Sequence, residues 1–385
     1  MSDSKKNSYV FMYITGAKKS SVVGGGIAFQ EVIAQQLVQE GFEVFAISNP
    51  ADELGFSFLQ NNKFIANYKI ADPSARTWFL FNVKKLWSEL RRITTLIPDD
   101  AIYVTVDPFP PDIIAAYFLR MKLKKKVIIT MHHITPSPLF HPFNRGLVRS
   151  NISWLMSIFA LITIKVSSIP VFLDNFRILE VSGWRLGNLV MEMPSSIGNF
   201  RSLTPNNVGH TACFIGRLNK NKGVADLIQA WRIVTKHLPN ATLYLIGKDF
   251  SNGKYHRMIQ RYRMSSNVKI TGYVEDTEKE RLLRDSVIFP FPSYEEGWSL
   301  SVMEAIDNGL LPVLYDLPAY DYVCNDDLKI KPGDINAFAA RIVYYMENKE
   351  ERISTIKELQ TCNQKYTKEY VFEVWLDQIH RKFKL

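Results

Sequence analysis

Short runs of β-branched and aromatic residues alternate along the chain with stretches in which apolar residues recur every three or four positions. In the first half the runs Val10–Ile14, Val44–Ile47, Ile102–Val106, Val127–Met131, Leu161–Val166 and Leu189–Met191 predict strands. Phe29–Glu40, with Val32, Ile33, Leu37 and Val38 on one face, predicts a helix, and Pro111–Met121 another, with proline in its first turn. The pattern restarts after Pro205-Asn206-Asn207. Strands are expected at Thr211–Ile215, Ala241–Ile246, Val268–Ile270, Val287–Phe291 and Leu311–Leu314. Helices are expected at Val224–His237, Lys254–Met264, Thr277–Asp285, Leu300–Asn308 and Asn336–Asn348. Such alternation implies parallel α/β sheets, here two doubly wound Rossmann-like domains. The polar segment Ser202–Gly209 reads as the linker, giving an N-terminal domain over 1–205 and a C-terminal one over 206–366. In the remaining stretch, 367–385, Tyr370, Val371, Val374, Trp375, Ile379 and Phe383 recur at helical spacing. A helix with that much apolar surface packs either on its own domain or back on the first.

A length of 385 residues with 46% hydrophobic content suits two cores rather than one. Cys213, Cys324 and Cys362 are few, odd in number and far apart, which argues against a disulfide framework or a zinc site and for a reducing cytosol. The apolar run Trp154–Ile164 falls short of the roughly 20 residues of a membrane span and reads as a helix end leading into a buried strand. Near the N-terminus, the run YVFMYIT is too short for a signal sequence. The net charge of +9 points to anionic partners. Its densest cluster, Arg120, Lys122, Lys124, Lys125 and Lys126, is either a solvated helix end or a contact with an anionic lipid surface. With no zinc-finger, RRM or homeodomain signature, nucleic acid is not an expected partner.

Four groups of residues could carry chemistry. Gly24-Gly25-Gly26 precedes the first helix, where backbone N–H groups can meet a phosphate, although the spacing is not a dinucleotide fingerprint. Gly216-Arg217-Leu218 and Lys222-Gly223 end the first strand of the second domain, where ligands of open α/β sheets sit, so the two cations can reach one diphosphate. The run from Ser293 to Ala305 puts Glu296 before a helix and Glu304 inside it. Gly297, Trp298, Ser299, Leu300 and Ser301 lie between them, offering helix-start N–H groups to a phosphate and carboxylates to sugar hydroxyls. His132-His133 ends the strand Val127–Met131, whereas His210 and His237 read as surface residues.

Together these residues resemble the GT-B glycosyltransferases, and within them the large retaining family GT4. The likeness covers nearly the whole length and is most specific over Thr211–Asn336. Glu296 and Glu304 reproduce that family's E-x7-E motif. Gly216-Arg217-Leu218 with Lys222-Gly223 is similar to its diphosphate loop, Gly272-Tyr273-Val274 to its base-binding turn, and Lys331-Pro332-Gly333-Asp334 to its late PGD turn. Departures are Ser299 where glycine is usual, one extra residue between Glu304 and Val313, and Pro194-Ser195-Ser196-Ile197.

The resemblance implies two domains facing a central cleft, a nucleotide-sugar donor and no metal or other cofactor. Arg217 and Lys222 would neutralise the leaving diphosphate, and Glu296 would face the donor sugar and Glu304 the ribose. His132 would lie near the reaction centre, Tyr273 and Val274 along the base, and Gly25 and Gly26 on the donor side of the first domain. The expected donor is a UDP- or GDP-sugar. The expected acceptor is a glycan or lipid-linked glycan of surface polysaccharide or glycolipid biosynthesis, in the cytoplasm or at the inner face of the membrane. A lipid-linked acceptor is suggested by the basic first domain and the aromatic segment Leu139–Phe143. The rival readings are a non-catalytic GT-B partner subunit and a nucleotide-sugar epimerase.

Overall fold

The computed structural model describes residues 7–14, 25–48, 64–67, 83–106, 110–132, 134, 147–173, 179, 183–192 and 209–385. Expectations for Gly24, His133, the segment 139–143, the turn 194–197 and the linker 202–208 lie outside the described residues. Two compact units divide the chain, the first taking in the N-terminal half and Glu369–Leu385, the second ending at Lys368.

The first unit is built on a seven-stranded sheet in the order β3-β2-β1-β4-β5-β6-β7, with every pairing parallel. Its strands are β1 (Ser8–Tyr13), β2 (Glu43–Ser48), β3 (Phe64–Asn67), β4 (Ile102–Thr105), β5 (Lys126–Met131), β6 (Val171–Leu173) and β7 (Val190–Glu192). Helices α1 (Gly25–Gln39), α2 (Val83–Thr94), α3 (Pro110–Met121) and α4 (Leu147–Ser167) connect them.

Strand β1 is buried along its whole length, so both of its faces need a cover. Val10 and Met12 point into a core shared with Leu86 and Leu90 of α2, Ile113 and Ala116 of α3, and Leu161 and Ile164 of α4. Tyr9 and Phe11 point the other way, onto Phe29 and Ile33 of α1 and onto the last helix of the chain. That helix, Lys368–Phe383, is the amphipathic stretch of the sequence, and its apolar face belongs to the first unit. Trp375 is fully buried, with its ring 5.4 Å from Tyr9, 6.4 Å from Phe11 and 6.0 Å from Phe172.

The second unit carries a six-stranded parallel sheet in the order β10-β9-β8-β11-β12-β13. Its strands are β8 (Thr211–Ile215), β9 (Thr242–Ile246), β10 (Val268–Gly272), β11 (Ile288–Phe291), β12 (Leu311–Tyr315) and β13 (Lys329–Ile330). Its helices are α5 (Val224–His237), α6 (Lys254–Arg261), α7 (Asp276–Arg284), α8 (Leu300–Asp307), α9 (Ile335–Glu347) and α10 (Lys349–Asn363); the helix at Lys368–Phe383 becomes α11. The order reverses between β8 and β11, and in open α/β sheets ligands bind beyond the carboxyl ends of the strands at such a switch point.

Two expectations need correction. Leu161–Val166 is the end of α4 and not a strand; Ala160, Leu161 and Ile164 enter the core at helical spacing, and the strand that follows is β6. Cys324 and Cys362 are not isolated thiols, because the fold brings their Cα atoms to 6.7 Å and joins them in a disulfide across 38 residues of sequence. Both are exposed, so a reducing compartment would hold them as thiols. Breaking the bridge with Cys324→Ser should cost the oxidised second unit about 2–4 kcal/mol by the loop-entropy relation, read by denaturant titration with and without reductant. The third cysteine, Cys213, is buried, and desolvation pushes its thiol up to about 12, so it is inert at neutral pH. Among the described residues no group of three or more His, Cys, Asp or Glu could hold a metal ion, and no helix is long and apolar enough to cross a membrane.

One half-buried acid gives the first unit a pH dependence. Desolvation raises Glu31, on α1, to about 7. A raised carboxyl contributes its share of stability below the unfolded value near 4.5 and loses it as pH climbs through 7. Glu31→Gln should therefore leave stability at pH 4 unchanged and raise it by about 1–2 kcal/mol at pH 8, the full shift being discounted for partial exposure. Thermal melts at the two pH values check this.

Candidate functional site

The loop after β8 and the loop after β11 flank the switch point and are tied together along their length. Asn219 accepts from the Lys222 backbone N–H at 3.0 Å through Oδ1, closing a tight turn that ends at Gly223. Tyr294 N–H donates to the Asn221 carbonyl at 2.8 Å, and the Asn221 amide donates to the Glu295 carboxylate at 2.8 Å. Lys222 Nζ forms an ion pair with Glu296 Oε1, both groups being nearly buried, and the ammonium also lies 5.2 Å over the Phe291 ring. Asp226, in the first turn of α5, accepts from the hydroxyls of Tyr294 at 2.5 Å and Tyr315 at 2.9 Å. Burial first, then the Asp226 charge, keeps both phenols protonated well above neutrality.

Arg217 stands exposed at the start of the β8 loop, and its neighbour Leu218 is locked by a backbone bond to the Lys248 carbonyl at 2.9 Å. The guanidinium is therefore presented from a fixed backbone. Gly216 follows β8 directly, its N–H bound to the Ile246 carbonyl at 3.0 Å.

Beyond Glu296 the chain turns through buried Gly297 and Trp298 into α8. Trp298 stacks on Tyr322 at 4.5 Å and meets the edge of Tyr366 at 5.2 Å. The Tyr322 hydroxyl donates to the Ser299 carbonyl at 3.3 Å, and the hydroxyls of Ser299 and Ser301 are 3.2 Å apart. Leu300 opens α8. These aromatic contacts fix the direction in which the first N–H groups of the helix point, which is what an anion cradle requires.

The sequence-predicted residues thus fall into groups. Lys222 and Glu296 are in direct contact, with Gly216 and Arg217 on the same loop as Lys222. Glu304 instead pairs with Lys279 of α7 at 2.9 Å, and Lys279 also reaches Asp276 at 3.2 Å. Burial pulls the Lys279 ammonium down, but the two carboxylates outweigh it and leave the group above its ordinary value. Tyr273, beyond β10, is 69% exposed, and Val274 packs against the core.

His132 and Gly26 belong to the first unit. The His132 ring leans edge-on to Phe29 at 6.0 Å, and a Cβ at Gly26 would lie 2.2 Å from His132 Cδ2. Gly26 therefore makes room for the imidazole, and Gly25 begins the same helix. Gly26→Ala should displace the ring, visible as a shifted His132 resonance in an NMR spectrum.

Sequence reasoning missed Asn221, Asp226, Lys279 and the Tyr322–Trp298–Tyr366 stack. Asp226 in the first turn of α5 and the tyrosine pair at 294 and 315 were the available signals, but their convergence depends on the sheet order.

Residues 199–360 match the family Glycosyl transferases group 1. The chain is 31% identical over 113 residues to the poly(glycerol-phosphate) alpha-glucosyltransferase of Bacillus subtilis (strain 168), covering 29% of this chain and 16% of that one. It is 26% identical over 161 residues to the O-antigen chain mannosyltransferase B of Escherichia coli, covering 40% and 41%. The chain thus spans less than half the length of both relatives. Among solved structures, sucrose-phosphate synthase from Thermosynechococcus elongatus superposes with a TM-score of 0.74 at 14% identity, covering 98% of this chain and 99% of that one. Anabaena HepE in complex with UDP-glucose superposes with a TM-score of 0.73 at 16% identity, with the same coverage. At these identities the structures speak for the fold, and the aligned segment speaks for the family. The chain has the GT-B fold, and residues 199–360, within its second unit, match the group 1 glycosyl transferases.

Proposed function

We propose that this protein is a retaining, metal-independent glycosyltransferase that moves a sugar from a UDP- or GDP-sugar to a glycan or lipid-linked acceptor in surface polysaccharide or glycolipid biosynthesis. The observation that carries the reading is the Lys222–Glu296 pair at the β8/β11 switch point, with Arg217 exposed on the same loop and the start of α8 beside it. Cations and helix N–H groups at one place suit a diphosphate, and a carboxylate next to them suits the sugar attached to it.

In the proposed reaction the bond between the anomeric carbon and the diphosphate oxygen breaks, and the electron pair leaves with the diphosphate. Lys222, Arg217 and the α8 N–H groups stabilise that charge as it develops, in place of a metal. The acceptor oxygen bonds to the same face of the anomeric carbon, and its proton passes to an oxygen of the departing phosphate. Glu296 orients the donor sugar, Tyr273 and Val274 lie along the base, and Glu304, steadied by Lys279, accepts from ribose hydroxyls. The similarity to the B. subtilis glucosyltransferase and the E. coli mannosyltransferase supports the sugar-transfer class.

A thermal-shift screen of UDP-, GDP- and ADP-sugars tests the donor. At hundredfold excess over its dissociation constant the right one stabilises the protein by about 2.7 kcal/mol. If none of the three raises the melting temperature, the reading fails. Slow release of nucleoside diphosphate by the purified chain alone separates a transferase from a non-catalytic partner subunit.

A further inference from the structure

Helix α4 has two apolar faces, and among the described residues only one of them is packed into a core. Ala160, Leu161 and Ile164 fill the core of the first unit. On the opposite side Ile152, Leu155, Phe159, Ile162 and Val166 are all exposed, Leu155 at 56% and Val166 at 68%. Their spacing of three, four, three and four residues lines them up in one stripe about 21 Å long. Single exposed apolar residues need no explanation, but five in register along one helix form a patch of the kind that marks an interaction surface.

Charge says what the surface would meet. Between Asp112 and Asp174 the sequence holds eight Lys and Arg residues and no Asp or Glu, and α4 lies entirely within that stretch. Helix α3 runs into β5 and α4 into β6, and β5 pairs with β6 in parallel, so the two helices end at the same edge of the sheet. The exposed cations Lys122 and Lys124, just past α3, therefore stand at the same sheet edge as Lys165 and Val166 at the end of α4. Asp99 pairs with Lys125 at 2.6 Å at this edge, but α4 itself carries no acid. An apolar stripe with cations at its end and no acid along the helix is the pattern of a helix lying in the interface of an anionic bilayer, side chains among the acyl chains and ammonium groups among the phosphates. A second copy of the chain is a poor match for the same face. Pairing two such stripes would bring two acid-free, basic stretches together with no carboxylate on either helix to receive them.

We infer that α4 is a membrane-docking element, and that the first unit rests its Ile152–Val166 stripe on an anionic phospholipid surface, with Lys122, Lys124 and Lys165 engaging the headgroups. This does not depend on the transferase reading, because docking is measured without turnover.

The test is co-flotation of the full chain with phosphatidylcholine vesicles, with and without phosphatidylglycerol. The protein should float with the anionic vesicles and lose most of that binding at molar salt, where the Debye length falls to about 3 Å. Leu155→Gln with Ile162→Gln should weaken the partition about tenfold or more at an unchanged melting temperature, and Lys122→Glu with Lys124→Glu should do likewise. If the glutamine pair fails to fold, Val166→Gln, at the most exposed position, makes the same comparison. Equal binding to neutral and anionic vesicles, no binding to either, or full binding by the stripe variants overturns the inference. So does a vesicle-free dimer that the stripe variants convert to monomer, which would make the stripe a self-association seam.

Discussion

Lys222→Met and Glu296→Gln are each expected to lower turnover of UDP- or GDP-sugar by about 10²-fold, and the double variant to regain stability without regaining turnover. The expectation follows from the two roles of this ion pair. Structurally it ties the β8 loop to the β11 loop, and Glu296 keeps only 8% of its side-chain surface exposed. Removing Lys222 alone therefore leaves a nearly buried carboxylate without its cation, and the melting temperature should fall. Removing both charges takes away the penalty together with the attraction, so the melting temperature should return toward that of the parent. Turnover behaves differently if Lys222 meets the leaving diphosphate and Glu296 the sugar, because a neutral pair offers neither contact. Arg217→Ala, at an exposed position on the same loop, should lower turnover with almost no change in stability. The measurements are nucleoside diphosphate release and thermal melts on the four variants. A double variant that recovers turnover in step with its melting temperature would show the pair to be a structural brace, and the donor site would have to be sought elsewhere.

How far the sequence could be read depended on how local each signal was. Helix α5 is expected at Val224–His237 and found there, because one face supplies Val224, Leu227, Ile228, Trp231 and Val234 to the core and the other is polar. The same holds for most of the second unit. Helix α4 was misread at its end because both of its faces are apolar, so no polar face marks the 3.6-residue period, and the β-branched run Ile162–Val166 imitates a strand. Strands β6 and β13, of three and two residues, are too short to show alternation.

The site divides in the same way. Lys222 and Glu296 were legible because each lies in a loop that leaves the carboxyl end of a strand, a position that strand order alone makes interesting. Their contact with each other, the Asp226–Tyr294–Tyr315 node and the Lys279–Glu304 pair required knowing which strands are neighbours. The disulfide was hidden for the same reason. Thirty-eight residues of sequence separate its cysteines, and nothing between them announces that the fold closes that loop.

Gly223→Ala is expected to destabilise the second unit by more than about 4 kcal/mol, enough to abolish soluble expression, whereas Gly272→Ala should cost only about 1–2 kcal/mol. The two glycines share a backbone conformation, φ +66° at Gly223 and +74° at Gly272, so alanine pays the same left-handed strain at either. Their surroundings differ. A Cβ at Gly272 meets nothing within 4 Å, whereas one at Gly223 would lie 1.8 Å from the Pro292 carbonyl oxygen and 3.2 Å from the Pro292 ring. Backbone stands on both sides of that contact, so no rotamer change relieves it. Either α5 backs away from the sheet or the β11 loop lifts off, and lifting it strains the Tyr294–Asn221, Asn221–Glu295 and Lys222–Glu296 contacts together. Gly223 is thus the position at which the β8 and β11 loops are pressed together. Denaturant titration of the two alanine variants checks the difference. Comparable losses at both positions would mean that the loops can part at little cost, and that their contacts do not hold the site together.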